Sequence, residues 1–179
     1  MYRVKTVFIS GAGGSIGSEL CRQVLEYRPQ RMVLLEMSEL ALYNIDKELH
    51  ELSDDLKIVP ILGSVLNEEL MHDVLHDQQI DVVLHAAAYK HLPLVESNPI
   101  AGLTNNVIGT KIIADAARDA NVERFILVSS DKAVRPTNVM GASKRLSELV
   151  IQRSLDNSPL AFNCCRWLTH LRITSGCTK

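Results

Sequence analysis

A hydroxyl group, a carboxyl group and an amine follow one another directly after an apolar segment of the sequence. They belong to Ser130, Asp131 and Lys132, and the preceding residues, Arg124–Ser129, are typical of a buried strand. An acid beside a base can donate one proton and remove another on a single substrate, as the elimination of water requires. The segment therefore indicates a dehydration site. The alternative is that Asp131 caps the following turn and that Lys132 is a solvated loop lysine.

A second lysine follows at the start of a predicted helix over Gly141–Leu155. Lys144 lies where a reductase of this general build carries the lysine of a Tyr-x-x-x-Lys motif, and the tyrosine position holds Met140. A thioether cannot accept a proton at neutral pH, so Met140 cannot replace the tyrosine as a base. Because they are four residues apart, Met140 and Lys144 are expected to share one face of the helix.

The N-terminal segment carries a glycine pattern that is typical of a dinucleotide-binding loop. Gly11, Gly14 and Gly17 recur at every third position between a predicted strand, Val4–Ser10, and a predicted helix, Ser15–Tyr27. One glycine makes a tight turn, one lets the backbone approach a pyrophosphate, and one lets helix and strand pack closely. The helix N-terminus then offers unpaired N–H groups to the phosphate. The predicted cofactor contacts in this loop are Gly11, Gly14, Ser15, Ile16 and Gly17.

Other predicted cofactor contacts lie at the ends of the following strands. Glu36 ends the second strand, where a carboxylate can accept both ribose hydroxyls of an adenosine and repels a 2′-phosphate. This favours NAD over NADP; the alternative is a solvated carboxylate at a strand end. Small residues end the third and fourth strands, where they let the backbone approach the adenine and nicotinamide halves, although the alanines are also compatible with core packing. These positions are Ser64, Val65, Ala86, Ala87 and Ala88.

The scaffold that positions these motifs alternates between apolar segments and helical patterns. The predicted strands span 4–10, 32–36, 57–62, 81–85 and 124–129, with a further strand starting at 160–162, and the predicted helices span 15–27, 39–52, 67–77, 101–120 and 141–155. This alternation predicts an α/β fold with a doubly wound parallel sheet and helices on both faces. Continuous apolar strands fit a sheet that is covered on both sides. We expect one domain over residues 1–162 and an atypical tail over residues 163–179.

Composition excludes several classes of function. Nineteen basic and twenty-one acidic residues among 179 leave a net charge of −2, which argues against a nucleic-acid-binding protein. No apolar run approaches the ~20 residues of a membrane span, and the N-terminus leads directly into a strand. We therefore expect a cytoplasmic protein without a membrane segment. The four cysteines lack the paired spacing of a zinc site, so we expect no metal.

Three segments together resemble the CapD-like polysaccharide biosynthesis family, whose members include UDP-N-acetylglucosamine 4,6-dehydratases of the extended short-chain dehydrogenase/reductase superfamily. They are Val7–Leu20, His85–His91 and Ser130–Lys144. The resemblance implies a Rossmann fold, bound NAD and a nucleotide-sugar substrate. It also implies that hydride leaves C4, that water is lost across C5 and C6, and that the hydride returns to C6. Met140 is typical of one branch of this family, whose members often carry an N-terminal membrane region. The resemblance therefore leaves open that the chain is the soluble part of a membrane-anchored relative.

The resemblance also implies roles for individual residues. Lys132 is the base at C5, and Asp131 is the acid at the C6 hydroxyl group and the acceptor of the 4-hydroxyl proton. Ser130 hydrogen-bonds near the C4 oxygen, and Lys144 holds the nicotinamide ribose. Substrate contacts are predicted at Lys90, His91 and Asn106. The alternatives are a loop histidine that bonds to backbone at position 91 and a solvent-facing polar residue at position 106.

The C-terminal residues depart from the family pattern after about Asn163. Relatives continue from this strand into an Arg-Phe-Gly-Asn-Val segment and a lobe that binds UDP. We therefore expect a truncated chain that lacks most of the substrate lobe, binds NAD and has little dehydratase activity. The alternative functions are a nucleotide-sugar 4-epimerase or reductase and a non-catalytic NAD-binding module. Relatives assemble through helices, so a homo-oligomer is expected.

Overall fold

One parallel sheet of six strands forms the centre of the protein. The computed structural model describes residues 5–53, 55–155 and 161–167. The strands are β1 (Thr6–Ser10), β2 (Arg31–Glu36), β3 (Lys57–Leu62), β4 (Val82–His85), β5 (Arg124–Ser130) and β6 (Ala161–Trp167). Their order in the sheet is β3-β2-β1-β4-β5-β6. The direction of winding reverses between β1 and β4, and a crevice forms at such a switch point outside the carboxyl ends of the strands.

Helices cover both faces of the sheet. They are α1 (Ser15–Glu26), α2 (Glu39–Leu52), α3 (Glu68–Asp77), α4 (Leu92–Ser97), α5 (Pro99–Leu103), α6 (Gly109–Asp119) and α7 (Val139–Leu155). The predicted doubly wound α/β fold is confirmed. Among the described residues, no helix combines the length and the apolar character that crossing a lipid bilayer requires.

The alternation of side chains along β1 divides the core into two layers. Phe8 points to one face and packs in a cluster that includes Ile113 of α6. Val7 and Ile9 point to the opposite face, where Leu20 of α1 belongs to their cluster. These three side chains are fully buried, which explains why the middle of the strand is apolar at successive positions rather than at every second one.

The helix predicted over residues 101–120 is interrupted. Residues Thr104–Ile108 form a π-helical turn that joins α5 to α6. The widened turn leaves the Asn106 carbonyl oxygen available to the hydroxyl groups of Thr110 and Ser147, at 2.5 and 2.7 Å. These hydrogen bonds satisfy a carbonyl oxygen where the regular helical hydrogen-bonding pattern is interrupted. π turns of this kind occur often at functional sites.

The last described strand crosses the boundary predicted at residue 162. β6 continues through Trp167 and pairs in parallel with β5, with Ser130 opposite Trp167. Residues 163–167 therefore belong to the sheet rather than to a tail. The rest of the predicted tail, residues 168–179, lies outside the described residues.

Candidate active site

The glycine-rich loop after β1 brings three backbone segments into close approach. Gly11 has a φ of +67°, and a β-carbon there would lie 2.8 Å from the backbone nitrogen of Ala87 at the end of β4. A β-carbon on Gly17 would collide with the Gly11 carbonyl oxygen. The Gly14 N–H donates to the same oxygen at 3.1 Å. Glycine is thus required at positions 11 and 17 for steric reasons, as in a loop that cradles a pyrophosphate.

A cavity of about 190 Å³ opens beside this loop at the carboxyl edge of the sheet. Eight predicted cofactor positions line it: Gly11, Gly14, Glu36, Ser64, Val65, Ala86, Ala87 and Ala88. The lining also includes Gly63, which belongs to the strand end expected near the adenine, and four residues that the sequence reasoning missed: Leu35, Met37, Tyr89 and Asn105. Ser15, Ile16 and Gly17 are outside the lining, because they form the start of α1 behind the loop.

Glu36 is held in place at the rim of this cavity. Its carboxylate accepts hydrogen bonds from the backbone N–H groups of Gly13, Met37 and Ser38 at 3.1, 2.9 and 3.1 Å. A carboxylate fixed in this way retains lone pairs for further donors. The arrangement differs from a freely solvated strand-end carboxylate and suits a pair of ribose hydroxyl groups.

Behind the cavity, a buried histidine joins β1, β4 and α6. His85 is 1% exposed, and its Nδ1 and Nε2 atoms lie 2.6 Å from the Ser10 hydroxyl and 2.9 Å from the Thr110 hydroxyl. The Thr110 hydroxyl donates to the Asn106 carbonyl oxygen, so it accepts from Nε2–H, and Nδ1 accepts from Ser10. Burial and then the nearby charge of Lys144 lower the pKa of His85 to about 3. The imidazole is therefore neutral.

This network also supports the cavity wall. The Ala87 N–H donates to the Ser10 hydroxyl oxygen at 3.4 Å. A chain of bonds therefore runs from the π turn through His85 and Ser10 to the backbone that lines the cavity. The signal in the sequence was a histidine at the end of an otherwise apolar strand, followed by three alanines.

Asn106 is internal and bonds to the backbone after β4, and its predicted role at the substrate site stays a prediction. It is 1% exposed, and its carboxamide accepts from the Tyr89 N–H at 2.7 Å and donates to the Tyr89 carbonyl at 3.0 Å. It also donates to the Ser143 hydroxyl at 2.9 Å. Because these bonds engage both donor hydrogens, Asn106 ties the segment after β4 to α7. The solvent-facing alternative is wrong.

The adjacent residues Lys90 and His91, which were predicted to contact the substrate, have different surroundings. The Lys90 ammonium donates to the Ser15 hydroxyl at 3.1 Å, which puts a positive charge at the phosphate-binding loop. His91 precedes α4, and its carbonyl oxygen accepts from the Leu94 and Val95 N–H groups at 3.1 and 3.0 Å. The imidazole of His91 is exposed. The substrate contacts predicted for Lys90 and His91 stay predictions.

The predicted catalytic segment forms a single 3₁₀ turn, Asp131–Ala133, at the end of β5. The Ser130 hydroxyl and the Asp131 carboxylate both accept from the Lys132 N–H, at 3.1 and 3.0 Å. The Asp131 and Lys132 side chains are exposed and are not part of the cavity lining. β5 pairs with β4, so the turn lies at the same edge of the sheet as Ala86–Ala88. The proton-transfer roles of the two residues stay predictions.

Helix α7 packs closely on this turn. A β-carbon on Gly141 would collide with the Lys132 carbonyl oxygen. The helix is capped by the Asn138 side chain, which accepts from the Gly141 N–H at 2.7 Å, and by Glu96 of α4, which accepts from the Val139 N–H at 2.7 Å. These contacts fix the turn relative to the helix that carries Met140 and Lys144.

Met140 and Lys144 are both buried, at 2% and 8% exposure. The Lys144 ammonium donates to the Val128 carbonyl oxygen of β5 at 3.2 Å. Burial lowers the pKa of Lys144 to about 8, against the opposing influence of Cys164 and Glu148. The lysine is therefore charged at neutral pH and lies between β5 and the start of α7. The described residues contain no cluster of histidine, cysteine and carboxylate side chains that could hold a metal ion.

Comparison with known sequences places these features in a family. The profile of the polysaccharide biosynthesis protein family matches residues 7–167. Capsular polysaccharide biosynthesis protein CapD of Staphylococcus aureus is 44% identical over 91% of the chain, which covers 28% of that protein. An inverting UDP-N-acetylglucosamine 4,6-dehydratase of Campylobacter jejuni is 31% identical over 83% of the chain, which covers 43% of the relative. A UDP-glucose 4-epimerase of Rickettsia prowazekii is 32% identical over 89% of the chain, which covers 46% of the relative.

Solved structures share the fold. Pen from Bacillus thuringiensis superimposes with a TM-score of 0.84 at 28% identity, over 93% of this chain and 50% of that one. The dTDP-glucose 4,6-dehydratase DesIV from Streptomyces venezuelae, solved with NAD bound, superimposes with a TM-score of 0.78 at 22% identity, over 90% of this chain and 55% of that one. The chain thus spans less than half the length of the three sequence relatives and about half that of the solved structures.

Proposed function

We propose that this chain, which belongs to the polysaccharide biosynthesis protein family, is the cofactor-binding and catalytic part of an NAD-dependent nucleotide-sugar 4,6-dehydratase. One observation carries the proposal: Asp131 and Lys132 follow β5 at the sheet edge that also carries the cavity beside the glycine-rich loop. The burial of Met140 where a tyrosine base is usual supports it further. Proton transfer then depends on the acid and base of the turn.

The residues at the cavity fit NAD. Gly11 and Gly14 leave room for the pyrophosphate, and the Lys90 ammonium beside Ser15 supplies a matching positive charge. Glu36 accepts the adenosine ribose hydroxyls, which favours NAD over NADP, and Lys144 holds the nicotinamide ribose. When bound, NAD supplies a reversible hydride acceptor for the C4 position of the sugar.

The turn after β5 moves the protons. Asp131 accepts the proton of the 4-hydroxyl group as hydride leaves C4, while Ser130 hydrogen-bonds to the C4 oxygen. Lys132 then removes the C5 proton, which the new C4 carbonyl group makes acidic. Asp131 returns its proton to the C6 hydroxyl group, which leaves as water. Lys132 then returns a proton to C5, and with the hydride that bound NAD would supply for C6 the net change is the loss of one water molecule.

The substrate that best fits the relatives is a UDP-N-acetylglucosamine-like nucleotide sugar. The C. jejuni relative is named for this substrate, and family membership supports a role in surface polysaccharide or glycan synthesis. The chain covers only part of each relative, and remote binding contacts contribute to the chemical step. Turnover by this chain alone is therefore expected to be slow.

A nucleotide-sugar 4-epimerase is the second candidate, because a relative of similar identity carries that name. An epimerase moves hydride from C4 and back to C4, and it needs no acid and base for C5 and C6. The adjacent Asp131 and Lys132 favour the dehydratase.

The products separate the candidates. The chain is incubated in molar excess over UDP-N-acetylglucosamine with NAD present, and the products are analysed by mass spectrometry and by NMR, which distinguishes C4 epimers of equal mass. Lys132→Met is the matched control. We expect a product that lacks one water molecule, formed by the wild type and absent with K132M. A C4 epimer of unchanged mass would favour the epimerase. Saturable NAD binding without either product would instead identify a non-catalytic NAD-binding module.

A further inference from the structure

A buried carboxylate lies one helical turn beyond Lys144 and has no role in the chemistry above. Glu148 is 2% exposed. Its Oε1 accepts from the Ser129 hydroxyl at 2.7 Å and from the Cys164 thiol at 3.4 Å. Its Oε2 accepts from the Arg145 guanidinium at 2.8 Å. Glu148 therefore joins β5 and β6 to α7, and a carboxylate is buried in this way only where donors compensate its desolvation.

The Glu148 carboxylate favours the charged form of the buried Lys144 side chain. Burial is the main cause that lowers the pKa of Lys144, and Cys164 on β6 and Glu148 on α7 oppose it. From β4 the neighbour is His85, whose burial keeps it neutral, and from β5 it is the Val128 carbonyl oxygen. Among the described groups that interact with Lys144, Glu148 is therefore the buried carboxylate that favours the ammonium.

Glu148 also acts on the end of β5. Its partner Ser129 directly precedes Ser130, and the two following residues are the proposed acid and base. The hydrogen bond at 2.7 Å fixes this strand end to the helix that carries Lys144. Glu148 thus bonds to the strand end that leads into the proposed acid and base, and it lies one helical turn from Lys144.

We propose that Glu148 is a positioning residue, which places a buried carboxylate one helical turn from Lys144 and holds the catalytic turn against α7 through Ser129. This inference rests on the proposed function, since it assumes that Lys144 contacts the ribose. Glutamine at position 148 can still accept a hydrogen bond from Ser129, but it removes the negative charge. The substitution therefore separates the effect of the negative charge from the effect of the hydrogen bond to Ser129.

The experiment measures NAD affinity by calorimetry from about pH 6 to about pH 10. In the wild type, affinity is expected to fall as the pH rises through about 8, where Lys144 loses its proton. In Glu148→Gln, the midpoint of this loss is expected to move to lower pH by about one unit or more. The matched control is Arg145→Gln, which keeps the carboxylate and removes a half-exposed cation. Its midpoint is expected to stay at or above that of the wild type.

A second variant tests the role of Lys144 in NAD binding separately from the role of Glu148. Lys144→Met is expected to weaken NAD binding and to abolish its dependence on pH in this range. Unchanged binding in K144M would contradict the role of Lys144 in the proposed function. A wild-type midpoint in E148Q, together with a lost pH dependence in K144M, would overturn the role of Glu148. Should E148Q fail to fold, Glu148→Asp keeps the charge and is expected to retain the wild-type midpoint; a lowered midpoint in E148D would overturn the proposal.

Discussion

The neutral, buried His85 predicts a defined loss of stability in mild acid. The imidazole accepts from Ser10 and donates to Thr110, so protonation would place two donors against Ser10 and add a buried charge. Burial and the charge of Lys144 hold the pKa of His85 at about 3 in the folded protein, compared with 6.5 for a free histidine. The unfolded chain therefore binds a proton at this site below about pH 6.5, whereas the folded protein does not.

This difference in proton binding determines the direction and the size of the change in stability with pH. Stability from this residue is present above pH 6.5 and is lost progressively as the pH falls toward 3. Each unit of pH within this window changes the free energy of unfolding by about 1.4 kcal/mol. Between about pH 7 and about pH 5, His85 alone is expected to remove about 2 kcal/mol of stability.

Urea denaturation followed by circular dichroism at the two pH values measures this loss. The test variant is His85→Gln, whose amide can accept from Ser10 and donate to Thr110 but does not titrate. The control is His76→Gln, which changes an exposed histidine on α3. Other titrating groups are common to all three proteins, so the difference between wild type and H85Q isolates His85.

The expected result is a loss in acid that is about 2 kcal/mol larger for the wild type and H76Q than for H85Q. H85Q is also expected to bind NAD in a manner that does not depend on the titration of position 85. An equal loss in all three proteins would refute the assignment of a neutral imidazole to the network behind the cavity.

Three substitutions test the cavity and the catalytic turn. Gly11→Ala places a β-carbon 2.8 Å from the Ala87 backbone at a positive φ. We expect calorimetry to show an NAD affinity that is at least about tenfold lower. A wild-type affinity would contradict the close approach of the two backbone segments. Glu36→Ala removes a charged acceptor and is expected to weaken NAD binding by about tenfold or more without weakening NADP binding; a parallel loss for both cofactors would disprove its selectivity role. Gly141→Ala collides with the Lys132 carbonyl oxygen, so the single-turnover rate of water loss is expected to fall while NAD affinity is retained, and an unchanged rate would show that the position of the turn is unimportant.

Sequence periodicity predicted the described strands and most of the described helices, but not α4. The bounds of α2 and β3 agree with the predicted ones at both ends; Ser38 and Ser53 flank the apolar pattern of α2, and Gly63 follows β3. The glycine loop and the cavity positions at the ends of β2, β3 and β4 also lie where the sequence placed them. These features depend on local pattern and on the rule that the carboxyl ends of parallel strands meet at one edge.

Features that depend on contacts between distant segments were outside the reach of sequence reasoning. The π turn at Thr104–Ile108 is stabilised partly by Ser147, which lies on another helix. Lys90 is directed to the phosphate loop by Ser15, 75 residues earlier in the chain. Asn106 is polar within a helix, and only its contacts with the segment after β4 and with α7 show that it is internal. Periodicity predicts burial of a face, but it does not identify the partner of a buried polar group.

The central claim is that Lys132 exchanges the C5 proton of a nucleotide sugar while hydride moves from C4 to C6. The most direct test is a single turnover in D₂O with UDP-N-acetylglucosamine and NAD, followed by mass spectrometry and NMR of the product. With the wild type we expect a product that lacks one water molecule, carries deuterium at C5 and has retained the C4 hydrogen at C6. With K132M we expect no such product. A product without deuterium at C5, or the same labelled product from K132M, would contradict it.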